Sequence, residues 1–220
     1  MTKTELFKRY CLFAAALFFI GLGISMTKHA GLGTSTVSSV TNVFSLRFPA
    51  LTFGTWTIIF NLLFLVGQLL VLRRKFPPVQ FLQLPLTFLF GYFTDIGLWI
   101  ASSLPNGTLV AKLILIVVGN FILAFGIAMT VTANVLLNAP EGFVNALAIT
   151  FRKSFATTKI LFDICWVCFA VILSMLFFHK PLTGAGVGTI ISALLVGPFV
   201  KLLSRPLRYF CRRVLRFSQL

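Results

Sequence analysis

Long uncharged apolar runs, separated by short polar or basic stretches, recur along the chain, and runs such as Ile114 to Phe125 show no alternation of polar and apolar positions. Barrel strands alternate over roughly ten residues, so the pattern points to helices. Each run is long enough to cross about 30 Å of hydrocarbon as a helix, the form that satisfies its own backbone where there is no water. Six crossings are predicted: Tyr10 to Thr27, Phe53 to Leu72, Phe81 to Leu104, Leu109 to Leu137, Thr157 to Phe178 and Gly184 to Leu203. The expected fold is an all-α transmembrane helix bundle that forms a single membrane domain.

Composition agrees: 58% of the residues are hydrophobic and 10% charged, against about 25% charged in a soluble domain. A soluble enzyme is excluded. The net charge of +15 does not indicate a nucleic-acid partner, because the basic residues sit in short clusters between apolar runs rather than on a folded aqueous face. They act as topology signals. With the N-terminus inside, all but four of the 19 Lys and Arg residues fall in cytoplasmic segments, the exceptions being Lys28, Arg47, Lys112 and Lys180. Both termini are therefore expected in the cytoplasm. Lys3, Lys8 and Arg9 before the first run resemble a signal peptide, yet no small-x-small cleavage site follows, so the segment reads as a retained first helix. Residues 204–220 interleave Arg205, Arg208, Arg212, Arg213 and Arg216 with apolar residues, as in an amphipathic helix on the anionic inner leaflet.

The chain also repeats itself. Gly23-Ile24-Ser25-Met26-Thr27-Lys28-His29-Ala30 recurs as Gly126-Ile127-Ala128-Met129-Thr130-Val131-Thr132-Ala133, and Phe60-Asn61 lies against Phe162-Asp163. The third crossings match weakly, through Gly91-Tyr92-Phe93 and Gly197-Pro198-Phe199. The expected units are about 10–104 and 109–203. A unit of three crossings enters the membrane from opposite sides in its two copies. Inverted repeats of this kind are frequent in secondary transporters, although duplication kept only for packing gives the same pattern.

A polar stretch follows each repeat signature: Gly31 to Ser45, with Thr34 and Ser35, and Asn138 to Thr150, with Pro140 and Glu141. Irregular backbone cannot face lipid, so each stretch either dips into the protein as a half-helix or lies at the surface as an amphipathic loop. Thr34 or Ser35, and Asn138, are the N-cap candidates. Pro140 and Glu141 suit a first helical turn.

Of the four acidic residues, Asp95 and Asp163 fall within crossings, where ionisable groups face a cavity or a partner. Asp95, one turn from Gly91, is read either as a substrate, proton or cation group or as a structural hydrogen-bonding group. Asp163, four residues after Lys159, is read as an ion pair near the interface or, with its repeat partner Asn61, as part of a central path. The candidate solute-binding set is thus Asp95, Asn61, Asp163, Thr34, Ser35, Asn138 and Glu141. No catalytic residue, metal ligand or cofactor is assigned. His29 reads as an interfacial histidine, and Cys165 and Cys168 as buried apolar thiols. Gly184, Gly188 and Ser192 recur every four residues as a close-packing face.

Gly21-Leu22-Gly23-Ile24, the stretch Ala30-Gly31-Leu32-Gly33-Thr34-Ser35, Gly186-Val187-Gly188-Thr189 and Gly197-Pro198 resemble the motifs of the YczE/YyaS/YitT family of bacterial membrane proteins. The resemblance spans most of the chain and implies a multi-pass protein of the bacterial cytoplasmic membrane. It carries over no site residues, since that family has no agreed activity. Two functions are expected from different classes. One is a secondary transporter or exporter of a small solute. The other is an accessory or scaffold protein that docks a cytoplasmic enzyme or another membrane protein through its basic tail and cytoplasmic loops. The expected partners are the lipid bilayer, a small solute, and a protein partner or a second copy in a homo-oligomer.

Overall fold

Each expected crossing forms a helix, and local chemistry sets where most of them begin and end. The computed structural model describes residues 3–180 and 182–215. Within them are α1 (Lys3–His29), α2 (Ser38–Arg47), α3 (Phe53–Leu72), α4 (Gln83–Ser102), α5 (Leu109–Ala133), α6 (Ala139–Phe151), α7 (Phe155–Phe178) and α8 (Val187–Phe210). All but α2 and α6 are long and apolar enough to cross a membrane. Three starts are capped by hydroxyls: Thr52, Thr108 and Ser154 accept from the backbone N–H groups of Thr55, Ala111 and Thr157, each satisfying an otherwise orphaned donor.

Several boundaries differ from the sequence expectation. The first helix begins at Lys3 rather than Tyr10, because Arg9, almost fully buried, bonds Glu5 one turn earlier at 3.0 Å and the Ala133 carbonyl at 2.9 Å. The fourth crossing stops at Ala133, not Leu137. Asn134 adopts the left-handed conformation (φ 48°, ψ 46°) and ends the helix there. At the other extreme α8 runs on past Ser204 and Pro206 to Phe210 and closes in one π turn, so Arg205 and Arg208 lie on the sixth crossing helix itself. Residues 216–220, including Arg216, lie outside the described residues.

Helices α1 and α5 form the centre; the most apolar stretches of these two are 56% and 50% buried, against 17% for those of α7 and α8. Helix α4 packs on α1 and α8 on α5, while α3 lies outside α4. The short helices α2 and α6 both fill the space between α3 and α7. One end of the bundle is basic, with Arg73, Arg74 and Lys75 facing Arg152 across a shallow groove. The distal end carries His29, whose Nε2 lies 3.0 Å from the Leu104 carbonyl.

Three features of α1–α4 have counterparts in α5–α8, although α3 packs on α4 and α7 scarcely meets α8. Gly23 lets α1 approach the backbone of Gly119 and Leu123 on α5, and Gly126 lets α5 approach Ala16 and Ile20 on α1. A methyl group at Gly23 would lie 2.5 Å from the Leu123 nitrogen, so both contacts depend on the missing side chains. Phe18 meets Phe93 of α4 edge-on at 5.5 Å, and Phe121 meets Phe199 of α8 edge-on at 5.6 Å. The hydroxyl caps match too: Thr52 pairs with Thr55, and Ser154 with Thr157, each at 2.8 Å between oxygens.

Candidate functional site

The starts of the short helices α2 and α6 both face one cavity inside the bundle. Helix α2 starts beside the middle of α7, where Trp166 Nε1 donates to the Val37 carbonyl at 2.8 Å, and ends beside Phe177 near the distal end of α7. Helix α6 starts beside Gln68 in the penultimate turn of α3 and runs to the basic end, with Phe143 against Phe64 of α3 and Phe162 of α7. Both polar stretches therefore enter the bundle as half-length helices. A cavity of about 1000 Å³ lies at their meeting point.

Five of the seven expected site residues line this cavity: Ser35 ahead of α2, Asn61 on α3, Asn138 and Glu141 at the start of α6, and Asp163 on α7. Asn138 occupies the N-cap position of α6 as expected, but its side chain makes no capping bond. Glu141 stands in the first turn of α6, where an acidic side chain complements the helix dipole. Lys159 donates to Asp163 at 2.5 Å, so the expected ion pair is present and borders the cavity.

Thr34 and Asp95 do not line the cavity, and neither Thr34 nor Ser35 caps α2. The N-cap position is Val37, without a side-chain cap, and Ser35 Oγ donates to Ser38 Oγ. Thr34 is fully buried, with its hydroxyl 3.1 Å from that of Thr27 and its N–H donating to Thr189 Oγ1. It fastens the dip after α1 to the start of α8, helped by the Gly188 N–H bond to the Leu32 carbonyl at 2.7 Å. Gly33 has φ 122°, a conformation open to glycine, and a side chain there would strike the Gly186 nitrogen at 2.8 Å. Asp95 binds the start of α3, accepting from Thr52 Oγ1 at 2.6 Å and from the Gly54 N–H at 2.7 Å. It is an acceptor for a helix N-terminus, supplied by the neighbouring helix. Cys165 and Cys168, expected as buried, are exposed on α7.

Sequence reasoning missed three glutamines. Gln68 is fully buried and donates through Nε2 to both the Ala139 carbonyl (3.0 Å) and Gln83 Oε1 (3.1 Å). The carbonyl fixes the orientation of Gln68, which in turn fixes that of Gln83. Gln83 is 3% exposed and lines the cavity with no protein partner for its Nε2. Gln80 Oε1 and Glu141 Oε2, also of cavity-lining residues, have none either. Gln80 and Gln83 lie at the start of a crossing, where glutamine looks like ordinary interfacial sequence. Gln68, in the penultimate turn of α3, was the available signal, because a polar amide inside a crossing needs a partner.

On its open side the cavity is bordered by Ile160 and Ile164 of α7 and by Val196 and Gly197 of α8. Those two helices scarcely touch, and nothing stands within 4 Å of a side chain added at Gly197. The cavity thus reaches the perimeter of the bundle between α7 and α8.

No solved structure matches the chain. It is 25% identical over 190 residues to the uncharacterized protein YyaS of Bacillus subtilis (strain 168), covering 86% of this chain and 89% of that protein. A family of unknown function, DUF6198, matches residues 7–205, nearly the whole bundle from the first turns of α1 into α8, and the chain belongs to that family.

Proposed function

We propose that this protein is a secondary transporter or exporter of a small solute, with the cavity between α2 and α6 as its binding site. The observation that carries this reading is the meeting of two half-length helices, one from each half of the chain, at one cavity inside the bundle that also holds Asn61 and Asp163. Broken helices whose N-termini face a central site are a recurrent transporter device. The reciprocal contacts of Gly23 and Gly126 support reading the two halves as inverted copies of a three-crossing unit. Such copies can exchange conformations and expose one site to either side of the membrane in turn. The clustering of basic residues at one end supports a cytoplasmic location for both termini.

The test is flux into sealed proteoliposomes, using amino acids, organic anions and organic cations as separate panels. Uptake of one class above empty vesicles, abolished in Asn61→Leu of unchanged thermal stability, is the expected result. Silence across all panels from folded, correctly inserted protein would overturn the reading in favour of an accessory role.

A further inference from the structure

We infer that the cavity is built for an organic cation carried on an apolar body, which reaches it from within the bilayer through the cleft between α7 and α8. The inference deepens the transport reading by naming the class of solute that the same site would take. Charge is the first argument. Among the described residues that line the cavity, the ionisable groups are Glu141, Asp163 and Lys159. Lys159 is already committed to Asp163 at 2.5 Å, which leaves the Glu141 carboxylate uncompensated by any side-chain cation lining the cavity, and its Oε2 is buried with no protein partner.

The helix dipoles do not reverse this sign. The N-terminus of α6 already faces Glu141 in its own first turn. That of α2 has neither an acidic residue nor a side-chain cap, yet a helix end carries only about half an elementary charge. An anion entering the cavity would meet a carboxyl group with no cation beside it, whereas a cation would pair with the carboxylate as its counter-ion.

The walls give the second argument. Phe13, Phe60, Phe64, Phe90 and Phe155 all line the cavity, so the body of the solute is met by aromatic rings, whose faces also attract cations. Gln83 Nε2 and Gln80 Oε1, both without protein partners, add one donor and one acceptor for a polar substituent. The third argument is access. Ile160 and Ile164 line the cavity and are also exposed at the perimeter, opposite the open face of Gly197. An apolar cation dissolved in the bilayer therefore reaches Glu141 without first crossing water.

Tetraphenylphosphonium and tetraphenylborate, which share shape and apolar surface but differ in sign, make the decisive pair. Binding of radiolabelled tetraphenylphosphonium to the purified full chain should be saturable and not displaced by tetraphenylborate. In Glu141→Gln it should weaken by roughly tenfold or more, as expected when a buried counter-ion is neutralised. Equal binding of the two ions by the unaltered protein, or undiminished binding in Glu141→Gln, would overturn the inference. Because the two-ion comparison uses the unaltered chain, it decides even if the variant fails to fold. Saturable, sign-selective binding without flux would refute transport and leave the ligand class standing. Flux of another solute without tetraphenylphosphonium binding would do the reverse.

Discussion

The helix pair α3–α4 is locked, whereas α7–α8, its counterpart under the proposed repeat, stands open, although the two share much of their chemistry. In the first pair Gly54 and Gly91 bring the backbones together so closely that a methyl group at Gly54 would lie 2.1 Å from the Gly91 carbonyl oxygen. Asp95 then reaches across and accepts from Thr52 and the Gly54 N–H. Counting from the matching caps and phenylalanines, Ser154 stands for Thr52 and Gly197 for Gly91, but Ala156 replaces Gly54 and Lys201 replaces Asp95. A methyl group now sits where the locked pair has none. A lysine sits where the locked pair has an acceptor, and a cation is disfavoured beside the positive end of a helix. Under the proposed repeat these two residues account for the opening of the cavity on the α7–α8 side.

Packing should separate the two pairs most sharply. Gly54→Ala sets a methyl group against backbone that has no rotamer to yield, so it should cost about 3 kcal/mol, the upper range for overpacking. Gly197→Ala faces open space and should be neutral or stabilising by up to about 1 kcal/mol through helix propensity. Thermal unfolding of both variants in detergent checks this. Equal losses would show that α7 and α8 pack in solution as closely as α3 and α4.

A smaller difference is expected from the acceptor. Asp95→Ala removes two bonds at the start of α3 and leaves the Gly54 N–H without its partner, which should cost about 1–3 kcal/mol. Lys201→Ala, at an exposed position on α8, should fall within about 0.5 kcal/mol of the unaltered protein. A comparable loss at both positions would mean that Lys201 has a partner of its own in the membrane.

Much of this arrangement was legible in the sequence, and the exceptions share one cause. Hydropathy depends on composition along the chain, so all six crossings could be placed and the polar stretches after α1 and α5 stood out as half-helices or loops. It could not stop α5 at Ala133, because Val135, Leu136 and Leu137 continue the apolar run and only the left-handed Asn134 breaks it. Ser35, Asn138 and Glu141 were singled out as helix-start residues, Asn61 and Asp163 as polar groups within crossings, and the cavity gathers all five. Asp95 met the same criterion, yet it serves α3, because its partners come from a helix more than forty residues earlier, a pairing that no local pattern contains. Gln68 and Gln83 escaped notice for a similar reason: each is explained by the other and by the Ala139 carbonyl.

The subtlest contrast between the halves is the pair Asn61 and Asp163, each nine residues beyond its hydroxyl cap and both facing the cavity. Asp163→Asn makes the two positions alike. The Lys159–Asp163 pair is one helical turn long and its side chains are 25% and 26% exposed, so its loss should change stability by only about 0.3–0.5 kcal/mol. The same substitution removes the carboxylate that occupies Lys159, leaving a free ammonium beside the cavity and weakening its preference for cations. Unfolding temperature and tetraphenylphosphonium affinity measured on one preparation separate these effects. A nearly unchanged unfolding temperature with several-fold weaker binding would assign Asp163 to the electrostatics of the site. A large fall in unfolding temperature would instead make it a strut of α7, and the difference from Asn61 would then concern packing alone.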